Sequence, residues 1–419
     1  MDATPDPTRA IAWDLLHAVL DLRRPLDDAL DAQTGFDARD RAAAHRLAAA
    51  VLRRMGTLDA VLEPFLQRAP PDGVRHALRL GAAGLLLLDT PPHAAVATAV
   101  ALVRARRLAP FAGLVNAVLR RVAAAGPAAL EGLDGPRLDT PVWLWASWGS
   151  DARAIATAHE QEAPIDLTLR GTGAGSGAET GIDPGIDPGG ETLPTGSRRY
   201  PPGTRVADLP GYAEGAFWVQ DTAATLPARL LAAAAGERVA DLCAAPGGKT
   251  AQLAATGAQV WAIERDAGRI RRLRENLARV NLPAEIVQAD ALDWSPPEKL
   301  DAVLLDAPCT ATGTIRRHPD VMRLKRPRDV AELAAGQARL LAAAAGMLRS
   351  GGRLVYAVCS LQPEEGPGQM AAIPPSLRPV PFTDAELAVV PGARTADGWL
   401  RTHPGMGMDG FFAARFIRR

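Results

Sequence analysis

Lysine is almost missing from this chain: of 47 basic residues only Lys249, Lys299 and Lys325 are lysines, and the rest are arginine. That bias reads as genome composition and excludes nothing by itself. Charge of one sign is also missing, because 47 acidic residues balance the 47 basic ones. No overall field draws a polyanion, so any nucleic-acid binding has to come from local basic surface. Cysteine is scarce: Cys243, Cys309 and Cys359 are the only three. An odd, sparse set argues against a disulfide framework and for a reducing cytoplasm. The most apolar run, Leu80 to Leu88, is too short to cross a bilayer, and the polar start is not a signal peptide, so no membrane partner is expected. The seven histidines are scattered without metal-ligand spacing, so no metal is expected either.

What is present is an apolar fraction of 47% in 419 residues, enough for two or three domains with real cores. Residues 8–126 read as helix throughout. Arg39–Arg54, Val74–Leu88, Ala94–Leu108 and Leu114–Val122 carry apolar residues at helical spacing, with breakers at Pro70-Pro71 and Asp89–His93. A compact all-helical module is the economical reading. Composition then shifts. Eight glycines fall within Gly171–Thr195, and Gly-Ile-Asp-Pro occurs twice from Gly181, so Gly171–Pro210 reads as a solvated loop. From Gly236 onward short apolar strands alternate with helices, with strands over Val239–Leu242, Val260–Ile263, Ile286–Gln288, Ala302–Leu305 and Arg353–Val358. Helices over Ala267–Val280 and Val330–Leu348 lie between them, which implies a doubly wound α/β sheet. A last strand within Gly410–Ile417 is expected to add antiparallel. The domain boundaries read as 1–140, 141–235 and 236–419.

The first of these strands runs into Asp241-Leu-Cys-Ala-Ala-Pro-Gly-Gly-Lys-Thr250 and then a helix. Glycines there let backbone approach a ligand closely. The Gly-Lys-Thr tail suggests a phosphate loop, but the position five before Gly248 is Cys243 rather than glycine, so that pattern fails. Glu264 ends the second strand, where a carboxylate can accept from both hydroxyls of a ribose. Asp290 follows the third, placed for an adenine amino group. Each acid alone is more often a helix cap; the ordered set fits the ligand crevice of an open α/β sheet.

Strand four ends in Leu304-Leu-Asp-Ala-Pro-Cys309 and strand five in Val355-Tyr-Ala-Val-Cys-Ser360. Cysteine usually serves as a small buried apolar residue. Two thiols on the same rim as a nucleotide-type cofactor loop suit a different role. Carbon 5 of cytosine is too weak a nucleophile to take a sulfonium methyl unaided. A thiolate added to carbon 6 makes it electron-rich, after which a base removes the carbon-5 proton. Asp306 is placed to stabilise charge at the ring's N3, and the base itself must be flipped out to be reached. Arg316, Arg317, Arg323, Lys325, Arg326 and Arg328 crowd into thirteen residues after Cys309 against one acid, Asp320. A charge run is usually a solvated face; its place beside the target-base pocket favours phosphate contact.

DLCAAPGGKT, LLDAPCTATGTIRRHPD and YAVCSLQPEE resemble the signature motifs of the NOL1/NOP2/Sun family of RNA cytosine-C5 methyltransferases. ARDRAAAHRLAAAVLRR, LRLGAAGLLLLDTPPHAAV and GLVNAVLRR resemble a NusB-type RNA-binding domain. That pairing is similar to the bacterial RsmB (Sun, Fmu) branch, which modifies 16S ribosomal RNA. The resemblance implies a class I, Rossmann-like methyltransferase domain with a doubly wound mixed sheet, preceded by an all-α NusB-like domain, and S-adenosylmethionine as cofactor. It also implies that Cys359 is the nucleophile and that Cys309 assists product release. Cofactor contacts would fall on Cys243, Ala244, Ala245, Pro246, Gly247, Gly248, Lys249, Glu264, Asp290 and Asp306. A monomer acting on 16S ribosomal RNA is the expected form. Three departures stand out: Val358 replaces the usual threonine, Gly366-Pro-Gly368 interrupts the segment after Glu365, and the strand-rich part before the catalytic domain looks shortened. Rival readings are a transfer-RNA methyltransferase, a non-catalytic RNA-binding protein on the same fold, and a nicotinamide enzyme. The last lacks G-x-G-x-x-G and gives the cysteines no role.

Overall fold

The computed structural model describes residues 6–170 and 187–419. The chain divides into two compact units, residues 1–161 with 315–326, and 162–314 with 327–419. The repeated Gly-Ile-Asp-Pro segment falls largely outside the described residues.

The first unit is helical. Helices Pro7–Leu20, Ala38–Arg53, Asp72–Leu87, Pro92–Ala105 and Ala112–Ala125 follow the apolar periodicity of the sequence. Leu15, Leu16, Leu52, Leu78, Val115 and Leu119 meet in its core, each fully buried. Close packing there depends on small residues: a Cβ on Gly81 would lie 2.4 Å from a Leu119 methyl. Helices continue past the expected boundary at residue 140, with Val142–Ser147 and Ala152–His159. Asp139 ties them back, accepting from the Thr57 amide at 2.7 Å, the Thr57 hydroxyl at 2.8 Å and Arg54 Nε at 2.9 Å.

Residues 315–326 complete this unit. Arg53 donates to the Arg316 carbonyl at 3.0 Å, and Asp320 accepts from the Leu26 amide at 3.0 Å. Leu324 packs against the helical core.

The second unit holds two sheets. Strands β1 (Ile165–Leu169), β2 (Glu191–Thr192), β3 (Arg198–Tyr200) and β4 (Phe217–Val219) form an antiparallel sheet in the order β2-β3-β1-β4. The expected loop at Gly171–Pro210 therefore contains a hairpin. Its anchor is Asp166, fully buried and held by both donors of Arg199 at 2.7 and 2.8 Å. Gln220 and Asp221 lead out of this sheet. Gln220 accepts from Trp218 Nε1 at 2.7 Å, and Asp221 caps the helix Thr222–Leu231 through the Ala223 amide at 2.8 Å.

The larger sheet contains β5 (Arg238–Leu242), β6 (Gln259–Glu264), β7 (Glu285–Gln288), β8 (Leu300–Asp306), β9 (Leu348–Val358), β10 (Leu377–Pro379), β11 (Leu400–Arg401) and β12 (Phe412–Arg418). Its order is β10-β12-β9-β8-β5-β6-β7, with β11 paired to β12. Strands β5 to β9 run parallel, and β12 returns antiparallel to β9. The order reverses at β5, between β8 and β6, so a crevice opens beyond the carboxyl ends of these strands. Strands buried on both faces explain the near-continuous apolar runs in the sequence.

Candidate active site

The loop after β5 is shaped for close approach. Cys243 has φ +64 and Gly247 has φ +106. A Cβ on Gly247 would lie 2.6 Å from Leu273 Cδ1, so only glycine fits. The helix Gly248–Ala254 starts directly afterwards, so its first amides have no partner within the helix. Holding a non-glycine residue such as Cys243 at positive φ costs on the order of 1 kcal/mol, and such outliers gather where ligands bind.

Beside the loop lies a cavity of about 260 Å³ lined by Cys243, Glu264, Asp290, Pro308, Glu332 and Gln337, among others. Glu264 is 3% exposed; Oε1 accepts from the amides of Arg265 at 2.9 Å and Asp266 at 3.1 Å. Its Oε2 has no hydrogen-bond partner, although Arg269 Nη1 stands 3.1 Å away. The distance makes an ion pair without aligned donor geometry, which leaves lone pairs for a diol. Asp290 closes its own turn, accepting from the Leu292 amide at 2.9 Å. Asp241 is 1% exposed, takes the Thr250 hydroxyl at 2.6 Å on Oδ2, and leaves Oδ1 without a partner. Burial pushes its carboxyl up to about 7, with the Asp306 and Glu264 charges adding to the rise. Burial likewise pushes the Cys243 thiol up to about 12, so it is a neutral wall of the cavity.

At the end of β8, Asp306 Oδ2 accepts from Lys249 Nζ at 2.8 Å, and the ammonium also lies over the Phe411 ring at 5.1 Å. Burial works against the charge on Lys249, but Asp306, Cys359 and Asp241 outweigh it and its pKa is raised. The two cysteines meet here: Cys309 Sγ stands 3.5 Å from Cys359 Sγ. The hydrogen bond to Cys359, then burial, drives the Cys309 pKa well above the usual thiol value. β8 and β9 pair in parallel with Asp306 opposite Ala357, which is why two cysteines fifty positions apart arrive together.

Val358 is fully buried opposite Phe412, so the side chain that replaces threonine packs into an apolar core. After Glu365, where Gly366-Pro-Gly368 is expected to interrupt the segment, the chain forms only a 3-10 turn, Pro367–Ala372. The basic run divides in two. Arg316 is 4% exposed, and Arg323 donates to the carbonyls of Leu52 at 3.3 Å and Asp139 at 3.0 Å within the helical unit. Arg316 is thus buried and Arg323 is spent on two backbone carbonyls, so neither presents a solvent face for phosphate. Arg317 and Lys325 are half-buried; Arg326 and Arg328 are exposed, with Arg328 3.7 Å from Asp329.

Sequence reasoning missed the Lys249–Asp306 pair, the Glu332 and Gln337 wall of the cavity, and the buried carboxylate of Glu365. Glu365 closes the segment YAVCSLQPEE, but nothing in its spacing marked it as buried. One histidine grouping also escaped notice: His17, Asp21 and His76 bring three ligand-type atoms within 4.8 Å. Asp21 Oδ2 lies 2.6 Å from His17 and 3.0 Å from His76, hydrogen bonds that account for the grouping without an ion.

Comparison with known proteins agrees with this geometry. Residues 228–417 match the family model described as 16S rRNA methyltransferase RsmB/F, and residues 6–124 match the NusB family. A ribosomal RNA small subunit methyltransferase B from Klebsiella pneumoniae subsp. pneumoniae is 36% identical, covering 98% of each chain. Its counterpart from Sodalis glossinidius is 35% identical over 98% of this chain and 97% of that one. Among solved structures, PH0851 superposes with a TM-score of 0.74 over 100% of both chains at 21% identity. A methyltransferase homologue from Pyrococcus horikoshii gives 0.54 over 69% of this chain and 96% of that one, at 24% identity. These two likenesses speak for the fold.

Proposed function

Because the chain belongs to the RsmB/F family of 16S rRNA methyltransferases, which are S-adenosylmethionine-dependent enzymes, we propose that it methylates carbon 5 of a cytosine in small-subunit ribosomal RNA, with Cys359 as nucleophile and Cys309 as the base of product release. The observation that carries this reading is the pair of sulfurs 3.5 Å apart at the rim of the cofactor crevice.

The residues present fit the cofactor. Glu264 Oε2, buried and without a hydrogen bond, suits a ribose diol, and Asp290 stands on the same cavity for the adenine edge. Cys243 lines the cavity, and the loop that continues from it through Ala244, Ala245, Pro246, Gly247, Gly248 and Lys249 is where the methionyl end would lie. Bound there, the cofactor supplies an electrophilic methyl group on a sulfonium.

Cys359, as thiolate, adds to carbon 6 of the cytosine, forming the S–C6 bond and making carbon 5 nucleophilic. The adduct takes a proton at the ring's N3 that Asp306, with one oxygen on Lys249, relays from solvent on the other, and gives it back by the same route when Cys359 leaves. Once the Cys359 sulfur has become a thioether, the largest cause of the raised Cys309 proton affinity is gone. Cys309 then releases its proton to solvent and takes the one on carbon 5. The electron pair of that C–H bond restores the ring double bond, the S–C6 bond breaks, and Cys359 leaves as thiolate. On this reading the enzyme acts as a cytoplasmic monomer without a metal ion, and its three free thiols suit a reducing compartment. Arg317, Lys325, Arg326 and Arg328 remain the phosphate-contact candidates of the basic run.

The test uses tritiated S-adenosylmethionine and unmodified small-subunit RNA. Label in 5-methylcytosine is expected to vanish with Cys359→Ala, and a protein–RNA adduct to accumulate with Cys309→Ala. Normal methylation by Cys359→Ala would overturn the nucleophile assignment. Label appearing in transfer RNA but not in small-subunit RNA would overturn the substrate.

A further inference from the structure

We propose that Glu365 is the positioning residue that holds the two reacting thiols in register, an inference that rests on the roles just given to Cys309 and Cys359. Glu365 is fully buried, and both of its carboxylate oxygens are occupied. Oε1 accepts from the Thr310 amide at 2.8 Å and from Gln337 Nε2 at 3.1 Å. Oε2 accepts from the hydroxyls of Thr310 and Ser360. Thr310 directly follows Cys309, and Ser360 directly follows Cys359. One carboxylate therefore grips the residue after each thiol.

The same hub reaches the other side of Cys309. Gln337 Nε2 also donates to the Pro308 carbonyl at 2.9 Å, so the chain is held both before and after that cysteine. Tyr356 closes the ring: its hydroxyl donates to the Glu365 carbonyl at 2.6 Å and lies 3.1 Å from Gln337 Oε1. Ser360 is itself fixed, its Oγ accepting from the Gln362 amide at 3.0 Å and its carbonyl from Arg401 at 2.9 Å. Gln337 is at once a wall of the cofactor cavity and a ligand of this carboxylate.

The requirement on the two thiols is unequal. Cys359 needs only to reach carbon 6, whereas Cys309 must stand at the carbon-5 proton of a ring already tethered to Cys359. A carboxylate shared between the two strand ends fixes the second distance from the first. An amide in its place turns two of the four accepted bonds into donated ones: the hydroxyls of Thr310 and Ser360 must turn to accept, the negative charge that strengthens all four contacts is lost, and the Cys309 strand end shifts. Misplacement of a reacting group by about 1 Å costs on the order of 100-fold in rate.

The experiment compares full-length wild type with Glu365→Gln on two RNAs. In small-subunit RNA carrying 5-fluorocytosine, fluorine in place of the carbon-5 proton traps the methylated adduct, so formation is read alone. On ordinary RNA release is read as well. Glu365→Gln should form the fluorocytosine adduct within about 3-fold of the wild-type rate. Its turnover on ordinary RNA should fall about 10- to 100-fold, with KM for RNA and cofactor falling in step so that kcat/KM stays within about 3-fold, and a covalent protein–RNA complex accumulating. Thr310→Val, which removes one arm on the Cys309 side, should show the same accumulation to a smaller extent. Unchanged turnover, or equal loss of formation and release, overturns the proposal. If Glu365→Gln does not fold, Thr310→Val decides alone, and absence of the accumulated complex overturns it. Failure of wild type itself to form the fluorocytosine adduct would instead overturn the roles assigned to the thiols.

Discussion

Asp241 makes the folded state sensitive to pH in a direction opposite to that of most carboxylates. It is 1% exposed, only one of its oxygens is hydrogen-bonded, and burial pushes its carboxyl from 3.8 up to about 7. Below pH 3.8 the group is protonated in both the folded and the unfolded chain, and it favours neither. Between 3.8 and about 7 the unfolded chain ionises while the folded chain keeps its proton. The folded state then binds more protons, so stability falls as pH rises through this window and levels off above it. A tenfold change in proton affinity corresponds to about 1.4 kcal/mol, so the rise from 3.8 to about 7 sets an upper bound of about 4 kcal/mol. Asp241→Asn removes the titration. It adds a buried amide N–H beside the position without a partner, a cost on the order of 1–3 kcal/mol that does not vary with pH. The slope is therefore the readout and the offset is not. Urea unfolding of both proteins without cofactor, at pH values from about 4.5 to 8, should show wild type losing stability relative to Asp241→Asn up to about pH 7 and running parallel above it. Parallel curves throughout would refute the burial argument.

Gly247→Ala should lower stability by about 1 kcal/mol or more through its positive φ, with a further loss from the methyl set against Leu273, and should weaken cofactor affinity by isothermal titration; unchanged binding would mean that the loop relaxes freely. Arg323→Ala should destabilise the helical unit, seen as an earlier thermal transition, because the carbonyls of Leu52 and Asp139 lose their buried donor. Arg328→Ala should leave that transition in place and reduce the salt dependence of RNA binding by roughly one counterion. Reversal of the two effects would show that burial does not sort the basic run.

The parallel sheet was legible because each strand is short, apolar and closed by a loop. The expected ends of β5, β6 and β7 fall within one residue of those observed. β9 was read from Arg353 but begins at Leu348, where Gly351 and Gly352 disguise its first turns as loop. β3 was hidden for a related reason: in Arg198-Arg-Tyr200 only the tyrosine is buried, so the segment has no apolar signature amid glycine and proline. Both cysteines, Glu264 and Asp290 were found because each ends a strand or follows its end within three residues. Glu365, Gln337 and the buried arginines were not found as such. A charged side chain looks the same in sequence whether it faces water or satisfies carbonyls at a helix end, and only the fold shows which donors surround it.

The helical unit is discontinuous in the chain, built from residues 1–161 and closed by residues 315–326. During synthesis, more than three hundred residues have to be made before its last segment is available. Until then the Leu26 amide lacks Asp320, Arg53 lacks the Arg316 carbonyl, and the helical core lacks Leu324. The strand leading to Cys309 is made before that closing segment, and the strand leading to Cys359 after it. The helical module is therefore finished midway through the making of the catalytic one, and a nascent chain cannot complete the first before starting the second.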